Sequence, residues 1–257
     1  MEPSSLLEIA AGAAREAGVL LLERFTAKAT GVGSKSTPTD LVSDADRDSE
    51  KLIVGHIRTH RADDAIVGEE GAARESESGL TWVIDPLDGT VNFLFGIPIW
   101  SVSIAVEDQE GALAGVVFDP NRGEMFSAKR GGGAHLNGDP IEVSRRTDLA
   151  HALIGTGFAY DAGARVVQAE IVSRVLPRVR DVRRVGSAAL DLASVACGRL
   201  DAFYEAPMEW WDRAAGVLLV REAGGIVSDL PAPLDLSTGV IAGGSHLHDA
   251  LASLVAS

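Results

Sequence analysis

The sequence predicts an α+β protein whose second half has an α/β arrangement with a mixed sheet. In the first half, two amphipathic helix patterns precede a series of short apolar runs typical of buried strands. In the second half, strand-like and helix-like segments alternate, which favours helices packed against a sheet. At 257 residues, the chain suits one large domain or two closely packed ones.

The first half begins with helices. Capping-box spacing at Ser5 to Glu8 predicts a helix that ends near Phe25. The glycine- and proline-containing segment 30–40 predicts a loop, and a second helix should run from about 43 to 59. Strands are then expected at 65–68, 81–84, 101–106 and 113–118, and the Asn137-Gly138 turn should precede a strand at 141–143.

The second half should contain strands and helices at 152–155, 164–176, 187–197, 202–204, 213–222, 226–228, 240–242 and 246–255. A boundary near 145–149 divides the chain into an N-terminal α+β domain, 1–146, and a C-terminal α/β domain, 147–257. No long linker separates them, so we expect the two domains to share one site at their interface.

Charge and composition narrow the class of partner. The formal net charge is -14, and no dense Lys/Arg cluster is present, so nucleic acid and anionic membranes are poor partners. A single cysteine, Cys197, rules out an internal disulfide framework and fits a reducing compartment. The sequence shows no signal-peptide pattern and no apolar run near the length of a membrane span. We therefore expect a cytoplasmic protein.

The segment 82–90, WVIDPLDGT, places two carboxylates at the end of an apolar strand. Pro86 should end the strand after Asp85, and Asp88 follows three residues later. Carboxylates ~4 Å apart repel by ~4 kcal/mol at an effective dielectric constant of about 20, and a divalent cation removes this penalty. With the Leu87 carbonyl between them, the set of oxygen ligands suits Mg²⁺. The structural alternative is a turn in which Asp88 caps a helix.

Three further segments add candidate groups. Gly89 and Thr90 begin a predicted helix, whose first amides can bind a phosphate oxygen. Glu69 follows another apolar strand and could reach the same sheet edge as Asp85, although a glutamate in an exposed loop is the simpler interpretation. Asp212 precedes a helix rich in small residues and could serve only as its cap.

Together these segments resemble the inositol monophosphatase family over nearly the whole chain. The two family signatures are similar to WVIDPLDGTVNF at 82–93 and to WDRAAG at 211–216, which is followed by EAGG at 222–225. Further segments follow in the family order at 35–46, 68–70, 186–189 and 204–205. The resemblance implies a five-layered αβαβα sandwich with an antiparallel N-terminal sheet and a mixed C-terminal sheet, and it implies a homodimer.

The resemblance also implies roles for individual residues. A first Mg²⁺ would be held by Glu69, Asp85 and the Leu87 carbonyl, and a second by Asp85, Asp88 and Asp212, with a third, looser ion near Glu69. Asp46 would pair with Thr90, and this pair together with Glu69 would orient the attacking water. The amides of Gly89 and Thr90 would bind the phosphate. The hydroxylated leaving group would face Asp88, Ala188 (through its backbone), Glu205 and Asp212.

The implied activity is hydrolysis of a small phosphate ester, inositol-1-phosphate, by a Mg²⁺-dependent and lithium-sensitive enzyme. Fructose-1,6-bisphosphate, histidinol phosphate and 3'-phosphoadenosine nucleotides remain alternative substrates on the same scaffold, and a non-catalytic regulatory scaffold remains a further alternative. For Glu205 the structural alternative is a surface ion pair with Arg199. His246 and His248 lie two residues apart with no third ligand in view, so we do not expect a metal there.

Overall fold

The computed structural model describes residues 3–26, 31–34, 41–71, 77–233 and 236–256. Its helices are α1 (Pro3–Thr26), α2 (Asp44–His60), α3 (Thr90–Leu94), α4 (Ala162–Val175), α5 (Ala188–Ala196), α6 (Trp210–Glu222) and α7 (Ser245–Ala256). Short 3-10 helices lie at Leu149–His151 and Leu176–Arg178.

The strands are β1 (Gly33–Ser34), β2 (Leu41–Val42), β3 (Ala65–Gly68), β4 (Thr81–Asp88), β5 (Ser101–Asp108), β6 (Gly111–Asp119), β7 (Glu124–Lys129), β8 (Ala134–Leu136), β9 (Asp139–Ile141), β10 (Leu153–Thr156), β11 (Asp181–Arg183), β12 (Ala202–Glu205), β13 (Ile226–Leu230) and β14 (Gly239–Gly243). Apart from the small β1-β2 hairpin, they form one seven-stranded and one five-stranded sheet.

The seven-stranded sheet has the order β3-β4-β5-β6-β7-β8-β9 and is antiparallel except for its first pair, β3 and β4, which run parallel. Helices α1 and α2 cover one face of this sheet. Leu21 of α1 and Ile53 of α2 belong to the same buried cluster as Trp82 of β4. The apolar stripes predicted for these two helices therefore face the sheet, and this burial stabilises the N-terminal half.

The five-stranded sheet has the order β11-β10-β12-β14-β13 and is mixed, because β10 is parallel to both β11 and β12 whereas β14 is antiparallel to its neighbours. One face packs against α4 and α7, and Val175 and Leu251 belong to that cluster. Helices α5 and α6 lie between the two sheets, where Ala189 and Leu219 share a cluster with Val117 and Phe203. The αβαβα sandwich is confirmed.

Most of the predicted elements are found, with shifted ends. Ser43 caps α2 in a capping box with Asp46. Strands β1, β2, β7, β8 and β11 were not predicted, β1 falls within the segment predicted as a loop, and α6 begins at Trp210 rather than at 213. Segment 35–40, which carries part of the predicted loop and of the family resemblance, lies outside the described residues. Each large sheet comes from one side of the boundary near 145–149, and the division into two domains stays a prediction.

The prediction that Pro86 ends its strand is wrong. The ladder between β4 and β5 is interrupted after Asp85, which pairs with Ser103, and it resumes where Asp88 pairs with Ser101. Two residues of β4, Pro86 and Leu87, therefore lie opposite one of β5, Val102, which is the arrangement of a β-bulge. Pro86 lacks the N–H needed at one ladder position, and the bulge absorbs this loss without ending the strand. No helix in the described ranges has the length and apolarity needed to cross a membrane.

Asp64 links the end of α2 to β4. Its carboxylate accepts hydrogen bonds from Arg61 (Nε and Nη2, both 2.7 Å), from Ser78 Oγ (2.6 Å) and from Trp82 Nε1 (2.8 Å). Burial alone would raise the pKa of Asp64, but these donors outweigh burial, so its pKa lies below the usual value. The ionised carboxylate is therefore the form that stabilises the fold.

We expect Asp64→Asn to lower the free energy of unfolding by about 3 kcal/mol at pH 7, because the substitution leaves the Arg61 guanidinium without its buried partner. The folded-state pKa is depressed, so the contribution is complete above the unfolded-state pKa of about 3.9 and is lost as the pH falls through the folded-state value. Urea unfolding at pH 7 and at pH 3 measures both effects. Asp63→Asn, at the exposed neighbouring position, is the control. Equal stability of wild type and Asp64→Asn at pH 7 would contradict this account.

Candidate active site

Four carboxylates converge where the two sheets meet across α5 and α6. Glu69 directly follows β3, and Asp85 and Asp88 lie at the C-terminal end of β4. Because β3 and β4 are parallel, these ends share one sheet edge, and the Glu69 amide donates to the Ile84 carbonyl at 3.2 Å. Asp212 comes from the first turn of α6, and its carboxylate interacts electrostatically with Glu69 and Asp88. The structure thus brings together the four acidic residues that the sequence singles out.

Burial and mutual repulsion disfavour the charged forms of these groups. Burial raises the pKa of Asp85 well above its usual value, and the charges of Glu69, Asp88 and Asp212 raise it further. A hydrogen bond links Asp85 to Glu69 and raises the same pKa again. The pKa of Asp212 is also raised, by burial first and then by Glu69 and Asp88. A bound cation would remove this penalty by compensating several negative charges at once.

Asp88 is held by donors from both halves of the chain. Its Oδ2 accepts hydrogen bonds from the hydroxyls of Ser187 and Ser101 (the latter at 3.2 Å) and from the Ala189 amide at 3.0 Å. Its Oδ1 accepts from the Ala188 amide at 3.1 Å. Burial still raises the pKa of Asp88, although these four donors act in the opposite direction. The start of α5 therefore fixes the position of a carboxylate that belongs to β4.

The donor set fits a hard divalent cation. It consists of oxygen atoms and carries several buried negative charges, which is the chemistry that Mg²⁺ prefers. As placed, no group of three or more His, Cys, Asp or Glu side chains in the described ranges is arranged to hold a metal ion. Protein donors engage one oxygen of two of these carboxylates: Leu87 N lies 3.0 Å from Asp85 Oδ1, and Glu209 N lies 2.7 Å from Asp212 Oδ2.

Asp88 and Asp212 are not the N-cap residues of the helices that follow them. The N-cap of α3 is Gly89, and the N-cap of α6 is Glu209. Asp212 occupies the third helical position of α6, where its carboxylate bonds back to the Glu209 amide in a capping box. This bond fixes the Asp212 side chain at the helix end that faces the other carboxylates.

Gly89 lies at the turn between β4 and α3. Its φ of 96° is in the left-handed region, and a Cβ at this position would lie 3.0 Å from the Ile99 carbonyl oxygen and 3.1 Å from that of Gly186. The first amides of α3 have no carbonyl partner within the helix. With five residues, α3 has only a small macrodipole, so the amides themselves, rather than the dipole, are the available anion-binding feature.

Asp46 and Thr90 form the pair that the family resemblance implies. Thr90 Oγ1 lies 2.8 Å from Asp46 Oδ1 and 3.0 Å from the Leu87 carbonyl oxygen. The other oxygen of Asp46 accepts hydrogen bonds from Ser43 N at 2.9 Å and Ser43 Oγ at 2.6 Å. Asp46 is fully buried, so these bonds hold its carboxylate in one orientation toward the Thr90 hydroxyl.

Glu205 lies at the end of β12 on the same side as Asp88 and Asp212. Burial raises its pKa to about 7, with Arg184 opposing the rise and Asp88 adding to it. A Cβ at Gly157 would lie 2.0 Å from the Glu205 carboxyl carbon, so this carboxylate needs a glycine beside it. The alternative ion pair with Arg199 is wrong, because Arg199 instead binds Glu124 through two bonds of 2.6 and 2.7 Å.

Several residues that support the site had no predicted role. Asn92 Nδ2 donates to the carbonyl oxygens of Ile99 and Val185, both at 2.8 Å, and so joins the two halves beside Gly89. Ser187 caps α5 and also binds Asp88. Both residues lie inside the segments that resemble the family, but a single sequence cannot show which distant atoms they contact. His248 bonds to Ser228 and to Asp249, each at 2.9 Å.

Comparison with known proteins extends these observations. The model of the inositol monophosphatase family matches residues 2–257. An inositol-1-monophosphatase from Mycobacterium leprae is 42% identical over 249 residues, which cover 92% of this chain and 85% of the relative. A Xylella fastidiosa protein named Nus factor SuhB is 46% identical over 218 residues, covering 84% and 79% respectively. The crystal structure of extragenic suppressor protein suhB from Bartonella henselae matches with a TM-score of 0.91 and 37% identity, covering 98% of each chain.

We expect Gly89→Ala to lower the free energy of unfolding by about 3 kcal/mol, because it combines a left-handed backbone with a clash against two carbonyl oxygens. Gly96→Ala is the matched control, since Gly96 also has a positive φ, 73°, but a Cβ added there would meet no atom within 4 Å. That substitution should cost only about 1 kcal/mol. Denaturant unfolding of both variants measures the difference, and equal losses would show that the close approach to Ile99 and Gly186 is unimportant.

Proposed function

The chain belongs to the inositol monophosphatase family, and we propose that it hydrolyses inositol-1-phosphate to inositol and inorganic phosphate in a Mg²⁺-dependent reaction. Family membership makes the chain a phosphatase. The observation that carries the finer proposal is the convergence of Glu69, Asp85, Asp88 and Asp212 beside the first amides of α3. A buried cluster of carboxylates next to free amides is suited to binding cations and a phosphate together.

The proposed cation sites are those that the family resemblance implies for the residues of this cluster. Glu69, Asp85 and the Leu87 carbonyl would hold a first Mg²⁺, and Asp85, Asp88 and Asp212 would hold a second, with a third and looser ion near Glu69. When bound, such ions lower the pKa of a coordinated water and stabilise the charge that develops on the leaving oxygen. The bonds that Asp85 and Asp212 accept from nearby amides restrict the orientation of both carboxylates.

The remaining groups act on the water and the phosphate. Asp46 accepts a hydrogen bond from the Thr90 hydroxyl, which leaves a lone pair of Thr90 Oγ1 to accept a hydrogen bond from the attacking water. Glu69 would accept a second hydrogen bond from that water and so orient its oxygen. The amides of Gly89 and Thr90 would donate to phosphate oxygens. Attack by water on phosphorus requires no covalent intermediate on the protein.

Substrate recognition rests on the carboxylates that face the leaving group. We propose that Glu205, Asp88 and Asp212 accept hydrogen bonds from ring hydroxyls, which would favour polyols over apolar alcohols. With a pKa of about 7, Glu205 would be partly protonated at neutral pH and could accept or donate a hydrogen bond. The Ala188 amide is directed at Asp88, so Ala188 would contribute through the position of its backbone.

Other activities compete with this proposal. Fructose-1,6-bisphosphate, histidinol phosphate and 3'-phosphoadenosine nucleotides present the same phosphate to the same cluster and differ only in the leaving group. The Xylella fastidiosa relative is named a Nus factor, which keeps the non-catalytic scaffold as an alternative. Retention of Glu69, Asp85, Asp88, Thr90 and Asp212 supports turnover instead. We further propose a homodimer, which the family resemblance implies, and a cytoplasmic location, which fits the single cysteine.

A panel of phosphate esters tests the substrate. We expect kcat/KM to be highest for inositol-1-phosphate when compared with fructose-1,6-bisphosphate, histidinol phosphate and 3'-phosphoadenosine 5'-phosphate, with phosphate release as the assay. Mg²⁺ should activate the enzyme, EDTA should abolish turnover, and Li⁺ should inhibit by competing with the second cation. A higher kcat/KM for another ester would reassign the substrate. No turnover of any ester would favour the scaffold alternative.

We expect Asp88→Asn and Asp212→Asn each to lower kcat/KM at least about 1,000-fold, because each removes a negative charge from the proposed cation sites. Asparagine keeps the size and one acceptor oxygen, so circular dichroism should show an intact fold. Asp139→Asn, at an exposed position on β9, is the control and should keep wild-type turnover. Wild-type turnover in either site variant would refute the assignment of these residues.

A further inference from the structure

The side chain of Asn92 joins three segments beside the carboxylate cluster, and the proposed reaction gives it no role. The residue lies on α3 and is 7% exposed. Its Nδ2 donates to the carbonyl oxygen of Ile99, just before β5, and to that of Val185, just before α5, each at 2.8 Å. Both acceptors are carbonyl oxygens, so the group that faces them has to be an NH2 group, and an ionised carboxylate could not replace it.

Each of the two acceptor carbonyls is followed closely by a serine that donates to Asp88. Ile99 precedes Ser101 by two positions. Val185 precedes Ser187 by the same interval. Both serine hydroxyls donate to Asp88 Oδ2, and the two hydroxyl oxygens lie 3.4 Å apart. The two N–H bonds of the asparagine therefore hold together the two segments that converge on one oxygen of Asp88.

The serine bonds determine which oxygen of Asp88 is available to a cation. Oδ2 accepts from the two serines and from the Ala189 amide at 3.0 Å, so its lone pairs are fully used. Among the described residues, Oδ1 accepts a hydrogen bond only from the Ala188 amide, at 3.1 Å, and it keeps a lone pair. A shift of either serine would let the carboxylate rotate. Metal ligands generally depend on such hydrogen-bonded partners for their orientation.

We propose that Asn92 is a positioning residue for the second cation site, because it holds Ser101 and Ser187 where they turn Oδ1 of Asp88 toward the cation. This role rests on the proposed function, in which Asp88 is a cation ligand. Asn92 itself binds neither cation nor substrate. Its loss should lower the affinity for Mg²⁺ without abolishing binding, since a carboxylate that is free to rotate can still bind a cation at a higher concentration.

Calorimetry with MgCl₂ on the full chain, in the absence of substrate, tests this role. We expect Asn92→Ala to bind Mg²⁺ about tenfold more weakly than wild type, which is the smaller effect usually seen when a partner of a metal ligand is removed. In the phosphate-release assay, the Mg²⁺ concentration for half-maximal turnover should rise by a similar factor. At saturating Mg²⁺, kcat should return close to the wild-type value.

Asn137→Ala is the matched control. Asn137 lies in the turn between β8 and β9, and its Nδ2 also donates to a carbonyl oxygen, that of Gly123, at 3.1 Å. This variant should lose stability without any change in Mg²⁺ affinity. The comparison separates the loss of a structural hydrogen bond from a misplaced Asp88.

A double-mutant cycle shows whether Asn92 acts through Asp88. In an Asp88→Asn background, Asn92→Ala should weaken Mg²⁺ binding no further, because the carboxylate that it orients is no longer present. Additive losses of affinity would overturn the proposed role. If circular dichroism shows that Asn92→Ala does not fold, Ser101→Ala replaces it, since this change removes one of the two hydroxyls that orient Asp88. Its Mg²⁺ affinity should also fall.

The outcomes distinguish this role from the proposed hydrolysis. Wild-type Mg²⁺ affinity in folded Asn92→Ala, or in Ser101→Ala where that variant replaces it, would overturn the positioning role even if wild type hydrolyses phosphate esters. Normal Mg²⁺ binding by wild type without turnover of any ester would refute the hydrolysis alone. If wild type binds no Mg²⁺, the proposed cation sites and the role of Asn92 are both wrong.

Discussion

The structure depends on holding four acidic side chains close together against their mutual repulsion. Burial and neighbouring charge raise the pKa of Asp85 and Asp212 well above ordinary values, so the cluster is costly in the absence of a cation. The protein meets this cost with backbone amides and hydroxyls placed on elements that are rigid for other reasons. The packed helices and strands of the sandwich therefore hold in place a set of carboxylates that repel one another.

The junction between the two halves is part of that solution. Asp88 belongs to β4 but receives three of its hydrogen bonds from the first residues of α5 and its N-cap. Asn92 adds two bonds from α3 to carbonyl oxygens at Ile99 and Val185. Because α5 and α6 pack against both sheets, small changes in sheet packing would move the carboxylates relative to one another.

The sequence predicts the elements whose stabilisation is local. Helix α2 combines an apolar stripe with a capping box at Ser43, and both features are visible in consecutive residues. The parallel β3-β4 pair could be expected to bring Glu69 to Asp85, because both residues follow apolar strands. Pro86 alone does not predict whether the strand ends or continues, because the β-bulge there depends on how β5 pairs with β4.

Contacts between residues far apart in the chain could not be predicted from the sequence. Arg199 binds Glu124, 75 positions away, and nothing in either neighbourhood indicates this partner over Glu205. The start of α6 at Trp210 follows from Glu209 as its N-cap, a residue type that is not among the strong caps. Likewise, nothing in the apolar sequence around Asp191 indicates that this residue becomes buried in the fold.

The hydrogen bonds that Asp88 receives from α5 also limit how the chain could be divided into separate fragments. A polypeptide ending near residue 146 would carry Asp88 without Ser187, Ala188 and Ala189, and the complementary polypeptide would carry these donors without their acceptor. Neither fragment could assemble the acidic cluster alone. Catalysis by two co-expressed fragments would then report their association, which makes this chain a natural split reporter whose signal is released phosphate.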